Sequence, residues 1–169
     1  IKDIKKEADE VCFKPFTLSN HQKLIKNFMS HNTPYNGLLL YHGLGSGKTC
    51  SAIGVTENMR KYMEISGKIN RIIIVASPNV QENFRLQLFD HTKLIKTNAG
   101  WEFKTIRCEG QNFLDDLKHI DTRQMSKEEL VKKVHRMIDK NYLFMGYIEF
   151  ANYIEKVIKN VSSVIQQDK

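Results

Sequence analysis

The chain has 169 residues, of which 41% are hydrophobic and 27% are charged. This composition indicates a single folded domain with a buried core and excludes a disordered tail. No apolar stretch approaches the roughly 20 residues that cross a bilayer, and Ile1–Lys6 lacks the apolar core of a signal peptide. We therefore expect an intracellular protein with no membrane partner. The net charge of +7 comes from scattered Lys and Arg residues, which indicate a polyanion-binding face and a merely solvated surface about equally.

The cysteines and histidines show no pattern of a metal centre. Cys12, Cys50 and Cys108 are odd in number and widely spaced, without a Cys-x-x-Cys pair, which argues against a disulfide framework or a zinc ribbon. The six histidines are not paired at metal-ligand spacing either. Reduced thiols and solvated or hydrogen-bonded histidines are the expectation.

The first part of the chain predicts a linker, a helix and a strand. Residues 1–15 are polar and charged and are typical of a linker or short helix, so the folded domain is expected to cover 16–169. Helical spacing then extends over Leu18–Ser30, where Ser19 is a suitable N-cap and Gln22, three residues later, completes a capping box. After a loop rich in turn residues, the apolar run Leu38–Tyr41 predicts the first strand.

A glycine-rich loop follows this run. The sequence Gly43-Leu44-Gly45-Ser46-Gly47-Lys48-Thr49 lies between the predicted strand and a helical pattern, as in a phosphate-binding loop. Glycines let backbone N–H groups converge on phosphates, the Lys48 ammonium contacts the β- and γ-phosphates, and the Thr49 hydroxyl can ligate Mg²⁺. The first glycine of the eight-residue consensus is replaced by His42. The alternative is a glycine-rich turn that binds nothing.

Helices and strands alternate after the loop. A helix is predicted from near Thr49 to Gly67, then the apolar strand Ile72–Ala76 and a turn at Ser77-Pro78-Asn79. The remaining predictions are a helix through Val80–Leu88, a strand at Trp101–Arg107, helices at Asn112–Ile120 and Ser126–Lys140, a strand at Tyr142–Met145, and a closing helix through Ala151–Ile165. This alternation predicts an α/β fold with a mainly parallel sheet covered by helices on both faces.

Taken together, these segments resemble the first RecA-like lobe of a superfamily 2 helicase or translocase from large cytoplasmic DNA viruses. Within that superfamily, they are most similar to the group that contains poxvirus early transcription factor and related nucleoside triphosphatases. The resemblance is carried by 16–22, 36–57, 76–80 and 142–147. It implies a P-loop three-layer α/β/α lobe, ATP and Mg²⁺ as cofactors, and DNA or RNA as partner. It also implies a second RecA-like lobe in the same chain, a link to viral transcription machinery, and a location in the host cytoplasm or virion.

The same resemblance assigns roles to particular residues. Lys48 and Thr49 would be catalytic, Thr49 as the Mg²⁺ ligand, and Gln22 would contact adenine, although its capping role is the alternative. The nucleotide-binding set is Gln22, Gly43, Leu44, Gly45, Ser46, Gly47, Lys48, Thr49 and Cys50. Nucleic-acid phosphates would be bound by Ser77, Pro78 and Asn79, where the alternative is a proline turn capped by Asn79. Tyr147 would be a further strand contact, or a core aromatic.

The sequence lacks the apolar strand ending in Asp-Glu that ATP hydrolysis in this class requires. The acids nearest to that pattern, Asp90, Asp116 and Asp139, lie in helical patterns. We expect that the chain is the N-terminal part of a longer motor, that it binds nucleotide weakly and that it hydrolyses almost none. The alternatives are a non-motor P-loop module, or an interaction domain whose nucleotide loop is vestigial.

Overall fold

The computed structural model describes residues 17–67, 71–103, 108 and 112–167. Six α-helices and four strands lie in this part of the chain, together with a short 3₁₀-helix at His91–Lys93. In chain order the elements are α1 Asn20–Phe28, α2 Lys48–Ile65, β1 Ile72–Val75, α3 Pro78–Leu88, β2 Leu94–Thr97, β3 Gly100–Phe103, α4 Asn112–Asp115, α5 Lys127–Asn141, β4 Tyr142–Met145 and α6 Tyr147–Gln167. The predicted linker at 1–15 lies outside the described residues.

Two strands form a small parallel sheet. β1 pairs with β4 in a register that places Ile72 opposite Tyr142 and Val75 opposite Met145. The Ala76 N–H donates to the Met145 carbonyl at 3.1 Å, which extends the pairing by one residue. Both strands are continuous apolar runs, as expected of parallel strands. Their carboxyl ends therefore lie side by side.

The other two strands form an antiparallel hairpin. β2 and β3 pair from Leu94 opposite Phe103 to Thr97 opposite Gly100. Gly100 begins β3 directly after the turn and has φ 125°, a conformation that residues with a Cβ rarely adopt. The hairpin forms its own sheet and does not pair with β1 or β4.

The core lies between α2, α3, α5 and the parallel sheet. Its most buried members include Ile53 on α2, Leu130 and Val134 on α5, and Phe113 on α4, each fully enclosed. The apolar positions of α5 recur at intervals of four residues, so one stripe of the helix is buried. This packing holds α2, the helix that follows the glycine loop, against the rest of the fold.

A buried polar network also connects α2 to the core. The Glu57 carboxylate accepts hydrogen bonds from Arg60, from the Asn112 amide at 3.1 Å and from the Tyr142 hydroxyl at 2.6 Å. Arg60 also forms an ion pair with Asp116, with an N–O distance of 2.8 Å. Glu57 and Arg60 are only 1% and 3% exposed, so each charge depends on its partners rather than on water.

The network changes the protonation behaviour of its members. Burial lowers the pKa of Arg60, but the hydrogen bond and charge of Glu57, followed by those of Asp116, outweigh burial and raise it. Burial raises the pKa of Tyr142, and the negative charge of Glu57 raises it further. Both groups therefore keep the protonated form that the hydrogen bonds require.

Several predictions are confirmed by the structure. The capping box of α1 forms, with the Ser19 N–H donating to Gln22 Oε1 at 2.9 Å. Ser126 and Glu129 form a second capping box at the start of α5, the helix predicted to begin at Ser126. β1 and β4 lie where the apolar runs predicted strands, and the closing helix α6 begins four residues earlier than expected.

The predicted strand at Leu38–Tyr41 is wrong. These residues pair with no strand in the described part of the chain, and Leu39 and Tyr41 are 86% and 93% exposed. An apolar run becomes a strand only when another strand satisfies its N–H and C=O groups. In the described residues the parallel sheet has two strands, β1 and β4, which is fewer than predicted, and the mixture of helices and parallel strands is still that of an α/β fold.

Three other boundaries need correction. The strand predicted at Trp101–Arg107 is the second strand of the hairpin and begins one residue earlier, at Gly100, while Lys104–Arg107 lie outside the described residues. The helix predicted over Asn112–Ile120 is the single turn α4, followed by turns. Asn79 does not cap α3, because Ser77 is the N-cap and Pro78 occupies the first turn, where its missing N–H costs no hydrogen bond.

The expectation of reduced thiols is also wrong. Cys50 on α2 and Cys108 form a disulfide, with Cα atoms 5.0 Å apart and a sequence separation of 58. Spacing along the chain says nothing about this proximity, which the packing of α2 against the core creates. No helix in the described residues is long and apolar enough to span a membrane.

Candidate phosphate-loop site

The glycine loop turns sharply into α2. Gly45 and Gly47 have φ angles of 77° and 78°, in the left-handed region that favours glycine. Gly47 is the N-cap of α2, and helical geometry begins at Lys48. The first N–H groups of a helix have no intrahelical acceptor and carry partial positive charge, so this turn presents donors suited to an anion.

Lys48 lies over the loop. Its Nζ donates to the carbonyls of His42 at 2.8 Å and of Gly43 at 2.9 Å. Ser46 closes the same turn, since its hydroxyl donates to the Gly43 carbonyl at 2.9 Å. The ammonium is thus held beside the helix N-terminus, where it can exchange carbonyl partners for phosphate oxygens.

The start of α1 contacts the other side of the loop. His21 Nε2 hydrogen bonds the Ser46 carbonyl at 3.0 Å, and Gln22 Nε2 donates to the Gly47 carbonyl at 3.3 Å. The His21 and His42 rings meet edge to face with centroids 5.6 Å apart. Two consecutive residues of α1 therefore orient consecutive carbonyls of the loop.

Gly47 is required by this contact as well as by its φ angle. A Cβ at Gly47 would collide with the Gln22 amide nitrogen, whereas a Cβ at Gly45 or Gly43 would meet nothing within 4 Å. Among the three loop glycines, Gly47 alone combines a left-handed backbone with close approach of another side chain. The sequence alone could not predict which of the three glycines tolerates a side chain.

The predicted site residues fall into two groups. Gly43 to Cys50 form one continuous loop and first helical turn, with Leu44 fully exposed at its tip and Thr49 half-buried in the turn. Gln22 is buried, and both ends of its amide are engaged, by the Ser19 N–H and by the Gly47 carbonyl. The capping alternative therefore forms in the structure, and the adenine contact of Gln22 stays a prediction.

The acids considered for hydrolysis lie elsewhere and have their own partners. Asp116 pairs with Arg60, Asp139 pairs with Arg85 at 2.9 Å, and Asp90 accepts from the Thr92 N–H at 3.0 Å. In the stretches that the structure describes, no group of three or more His, Cys, Asp or Glu side chains could hold a metal ion. Among the predicted site residues, Thr49 is the one proposed to contact Mg²⁺.

A cavity lies at the carboxyl ends of the parallel strands. It has a volume of about 710 Å³ and brings Pro78 at the start of α3 together with Met145, Gly146 and Tyr147 at the end of β4. Ser77, Pro78 and Asn79 are all exposed here. Two segments 70 residues apart in sequence, each predicted as a nucleic-acid contact, thus border one surface.

Sequence reasoning missed several residues of both regions. His21 and His42 contact the glycine loop or each other, and Asn152, Tyr153 and Lys156 line the cavity. The spacing of Asn152, Tyr153 and Lys156 places them on one face of a helix, which is a signal that could have found them. No sequence pattern indicated that His21 would reach a loop 25 residues away.

Relatives of the chain are found among large DNA viruses. It is 39% identical over 147 residues to "Putative helicase 087L" of Invertebrate iridescent virus 3, covering 86% of this chain and 13% of the relative. It is 29% identical over 151 residues to "Putative ATP-dependent RNA helicase L377" of Acanthamoeba polyphaga mimivirus, covering 88% and 12%. Both relatives are named as putative helicases of large DNA viruses.

A third relative extends the similarity over nearly the whole chain. "Putative ATP-dependent RNA helicase R563" of the same mimivirus is 26% identical over 166 residues, covering 95% of this chain and 25% of the relative. The chain therefore spans a quarter or less of the length of these viral relatives. No family model and no solved structure matches it.

Proposed function

We propose that the chain is the nucleotide-binding N-terminal part of an ATP-dependent DNA or RNA helicase or translocase. The observation that carries this proposal is the loop geometry, in which two left-handed glycines precede a helix N-terminus and the Lys48 ammonium lies over the same turn. Converging N–H donors and a lysine suit the phosphates of a nucleoside triphosphate. The names of the viral relatives support the motor assignment.

The residues have distinct roles in this proposal. The backbone of Gly43–Gly47 and the Lys48 side chain bind the phosphates, and Leu44, Ser46 and Cys50 contribute N–H groups along the same turn. The Thr49 hydroxyl ligates the Mg²⁺ that neutralises phosphate charge when Mg-ATP is bound. His21 and Gln22 orient the Ser46 and Gly47 carbonyls, so that the opposite side of the loop faces the ligand.

Hydrolysis by the 169-residue chain is expected to be very slow. Asp90 accepts a hydrogen bond from Thr92, Asp116 pairs with Arg60 and Asp139 pairs with Arg85, so each of these acids already has a partner of its own. A second RecA-like lobe, a transition-state arginine and a role in viral transcription belong to the proposal for the full-length protein. ATPase turnover at ordinary rates that Lys48→Ala abolishes would contradict this expectation.

Mg-ATP binding is the direct test of the loop. A ligand present at 100 times its Kd stabilises a protein by about 2.7 kcal/mol, which thermal unfolding can measure. We expect stabilisation of the wild-type chain and little or none of Lys48→Ala. Lys23→Ala, which changes an exposed lysine of α1, is the matched control and should be stabilised like wild type. No stabilisation of the wild type at millimolar nucleotide would favour a vestigial loop.

Nucleic acid is proposed to bind at the cavity beside β1 and β4. Exposed Ser77 and Asn79 flank a helix N-terminus, while Tyr147 and Lys156 supply an aromatic ring and a positive charge on the facing helix. Lys156→Glu should weaken binding of a single-stranded oligonucleotide and reduce its salt dependence. Lys159→Glu, on the same helix but outside the cavity residues, is the control. Equal loss in both variants would assign binding to net charge instead of this surface.

A further inference from the structure

The Cys50–Cys108 pair adjoins the proposed phosphate site directly. Cys50 is the third residue of α2, next to Thr49, so its backbone N–H belongs to the first helical turn. Its sulfur is bonded to Cys108, which is 5% exposed and packs within the hydrophobic core. A single covalent bond thus connects the turn that would bind phosphate to the interior of the fold.

The backbone at Cys108 is arranged for this contact. Cys108 has φ 50°, and it is the one non-glycine residue with a positive φ in the described part of the chain. A residue with a Cβ adopts this left-handed conformation only when its surroundings hold it there. The Gln87 side-chain oxygen lies 3.2 Å from the Cys108 sulfur and contributes to those surroundings. The Cys108 sulfur is therefore positioned for Cys50 by its own backbone and by α3.

The two sulfurs differ in access. Cys108 is buried, whereas Cys50 is half-buried at the start of α2. Cys50 is therefore the more accessible of the two sulfurs to a dissolved oxidant, and Cys108, with its Cα 5.0 Å from that of Cys50, is placed to react with it afterwards.

We propose that Cys50 and Cys108 are a thiol–disulfide modification site that tunes nucleotide binding at the neighbouring loop. The oxidant is a low-molecular-weight disulfide. The Cys50 thiolate attacks one of its sulfurs, forming a mixed disulfide and releasing one thiol. The Cys108 thiolate then attacks the Cys50 sulfur, which forms the internal disulfide and releases the second thiol. The two protons lost by the cysteines leave on the two released thiols, and excess small thiol reverses both steps.

The coupling to nucleotide follows from the position of the bond, and this part rests on the proposed nucleotide function. In the oxidised chain the first turn of α2 is fixed to the core at Cys108. In the reduced chain the turn is held by noncovalent contacts alone, including the Gln22 and Ser51 hydrogen bonds to the Gly47 carbonyl. A preorganised anion site binds more tightly than one that must be ordered by its ligand. Oxidation should therefore lower the Kd for Mg-ATP.

The disulfide itself is tested without nucleotide. The 169-residue chain is equilibrated across a series of glutathione redox buffers, free thiols are trapped by alkylation, and the modified cysteines are identified by peptide mass spectrometry. We expect Cys50 and Cys108 to lose alkylation together in oxidising buffer while Cys12 remains alkylated. Reduction should lower the melting temperature by about 10 °C, because the bond closes a loop of 58 residues. Cys50 and Cys108 that stay alkylatable in oxidising buffer would overturn the site.

The coupling is tested with Mg-ATP titrations of oxidised and reduced protein. We expect the Kd to rise about fivefold on reduction, within the usual range of coupling between sites. Cys108→Ser should match the reduced chain and no longer respond to redox buffer, while Cys12→Ser should respond like wild type. Equal Kd values in the two states, with the disulfide formed, would overturn the coupling. Absence of binding in both states would overturn the nucleotide function and the coupling with it, whereas the disulfide is read independently from the alkylation pattern.

Discussion

The two sides of the glycine loop differ sharply in how they are held. Upstream, Leu38–Tyr41 is apolar but unpaired, and most of its side chains are exposed. Downstream, α2 is fixed by α1, by the core, by the Glu57–Arg60 network and by the disulfide. Apolar residues alone do not determine which side is ordered. What differs is whether neighbouring elements satisfy the backbone and bury the side chains.

The largest expected effect comes from breaking the downstream network. Arg60→Met leaves the buried Glu57 carboxylate and the half-buried Asp116 carboxylate without their cation, which typically costs about 3–5 kcal/mol. Urea unfolding monitored by circular dichroism measures this free energy. Arg123→Met is the matched control, because Arg123 pairs with Asp121 on the surface and its removal should change stability little. Similar losses in both variants would mean that the network does not hold α2.

The next effect separates two glycines with the same φ angle. Gly47→Ala must adopt a left-handed conformation and also displaces Gln22, so we expect a loss of about 2–3 kcal/mol. Gly45→Ala has the same backbone cost but open space around it, and should lose about 1 kcal/mol. Thermal and urea unfolding provide the comparison. Equal losses would show that the contact between Gln22 and Gly47 contributes nothing.

Tyr142→Phe tests the same network through pH. The variant removes a 2.6 Å hydrogen bond to the Glu57 carboxylate, which should cost about 2 kcal/mol at neutral pH. Burial, and then the Glu57 charge, raise the pKa of Tyr142 above its usual value of 10.0. The contribution of the neutral hydroxyl is therefore complete below pH 10 and is lost as the pH rises above 10, where the unfolded tyrosine ionises.

Unfolding free energies of wild type and Tyr142→Phe measured from pH 7 to 11 check this sign. We expect the two curves to converge above pH 10, since only the wild type can ionise at position 142. A difference that stays constant over this range would contradict the raised pKa and leave only a packing effect of the hydroxyl.

The smallest effect is expected upstream of the loop. Leu39→Ala removes a side chain that is 86% exposed and should change stability by no more than about 0.5 kcal/mol. Leu130→Ala is the matched comparison on α5, where the side chain is fully buried and the expected loss is about 2–5 kcal/mol. A loss at Leu39 approaching that at Leu130 would mean that Leu38–Tyr41 is buried in solution.

Local patterns predicted the elements that depend on local interactions. The capping boxes at Ser19 and Ser126 formed because the partner residue lies three positions along the same helix. β4 was recognised at Tyr142–Met145 because an apolar run is bounded there by two helical patterns. The glycine loop was likewise readable, since its backbone requirement and its lysine are adjacent in sequence.

Contacts between residues far apart in the chain were not predicted from the sequence. The pairing of β2 with β3 was not predicted, because Leu94–Thr97 contains polar residues and lacks a clear strand pattern. The hairpin partner stabilises this strand. The contact of His21 with Ser46 and the bond between Cys50 and Cys108 depend on where α1 and α2 pack. Leu38–Tyr41 shows the opposite case, because an apolar run that predicted a strand found no partner strand in the described residues.

By itself, the sequence determined the chemistry of the loop, because glycine, lysine and threonine carry their conformational freedom, charge and hydroxyl wherever they are placed. It also determined most of the helices, since their hydrogen bonds join residues four apart, although the helix predicted over Asn112–Ile120 formed only one turn. Only the tertiary structure decided that Gln22 contacts Gly47, that Glu57 and Arg60 are buried together, and that one flank of the loop is held while the other is exposed. These outcomes depend on burial and on hydrogen bonds between residues far apart in sequence, which exist only once the elements have packed.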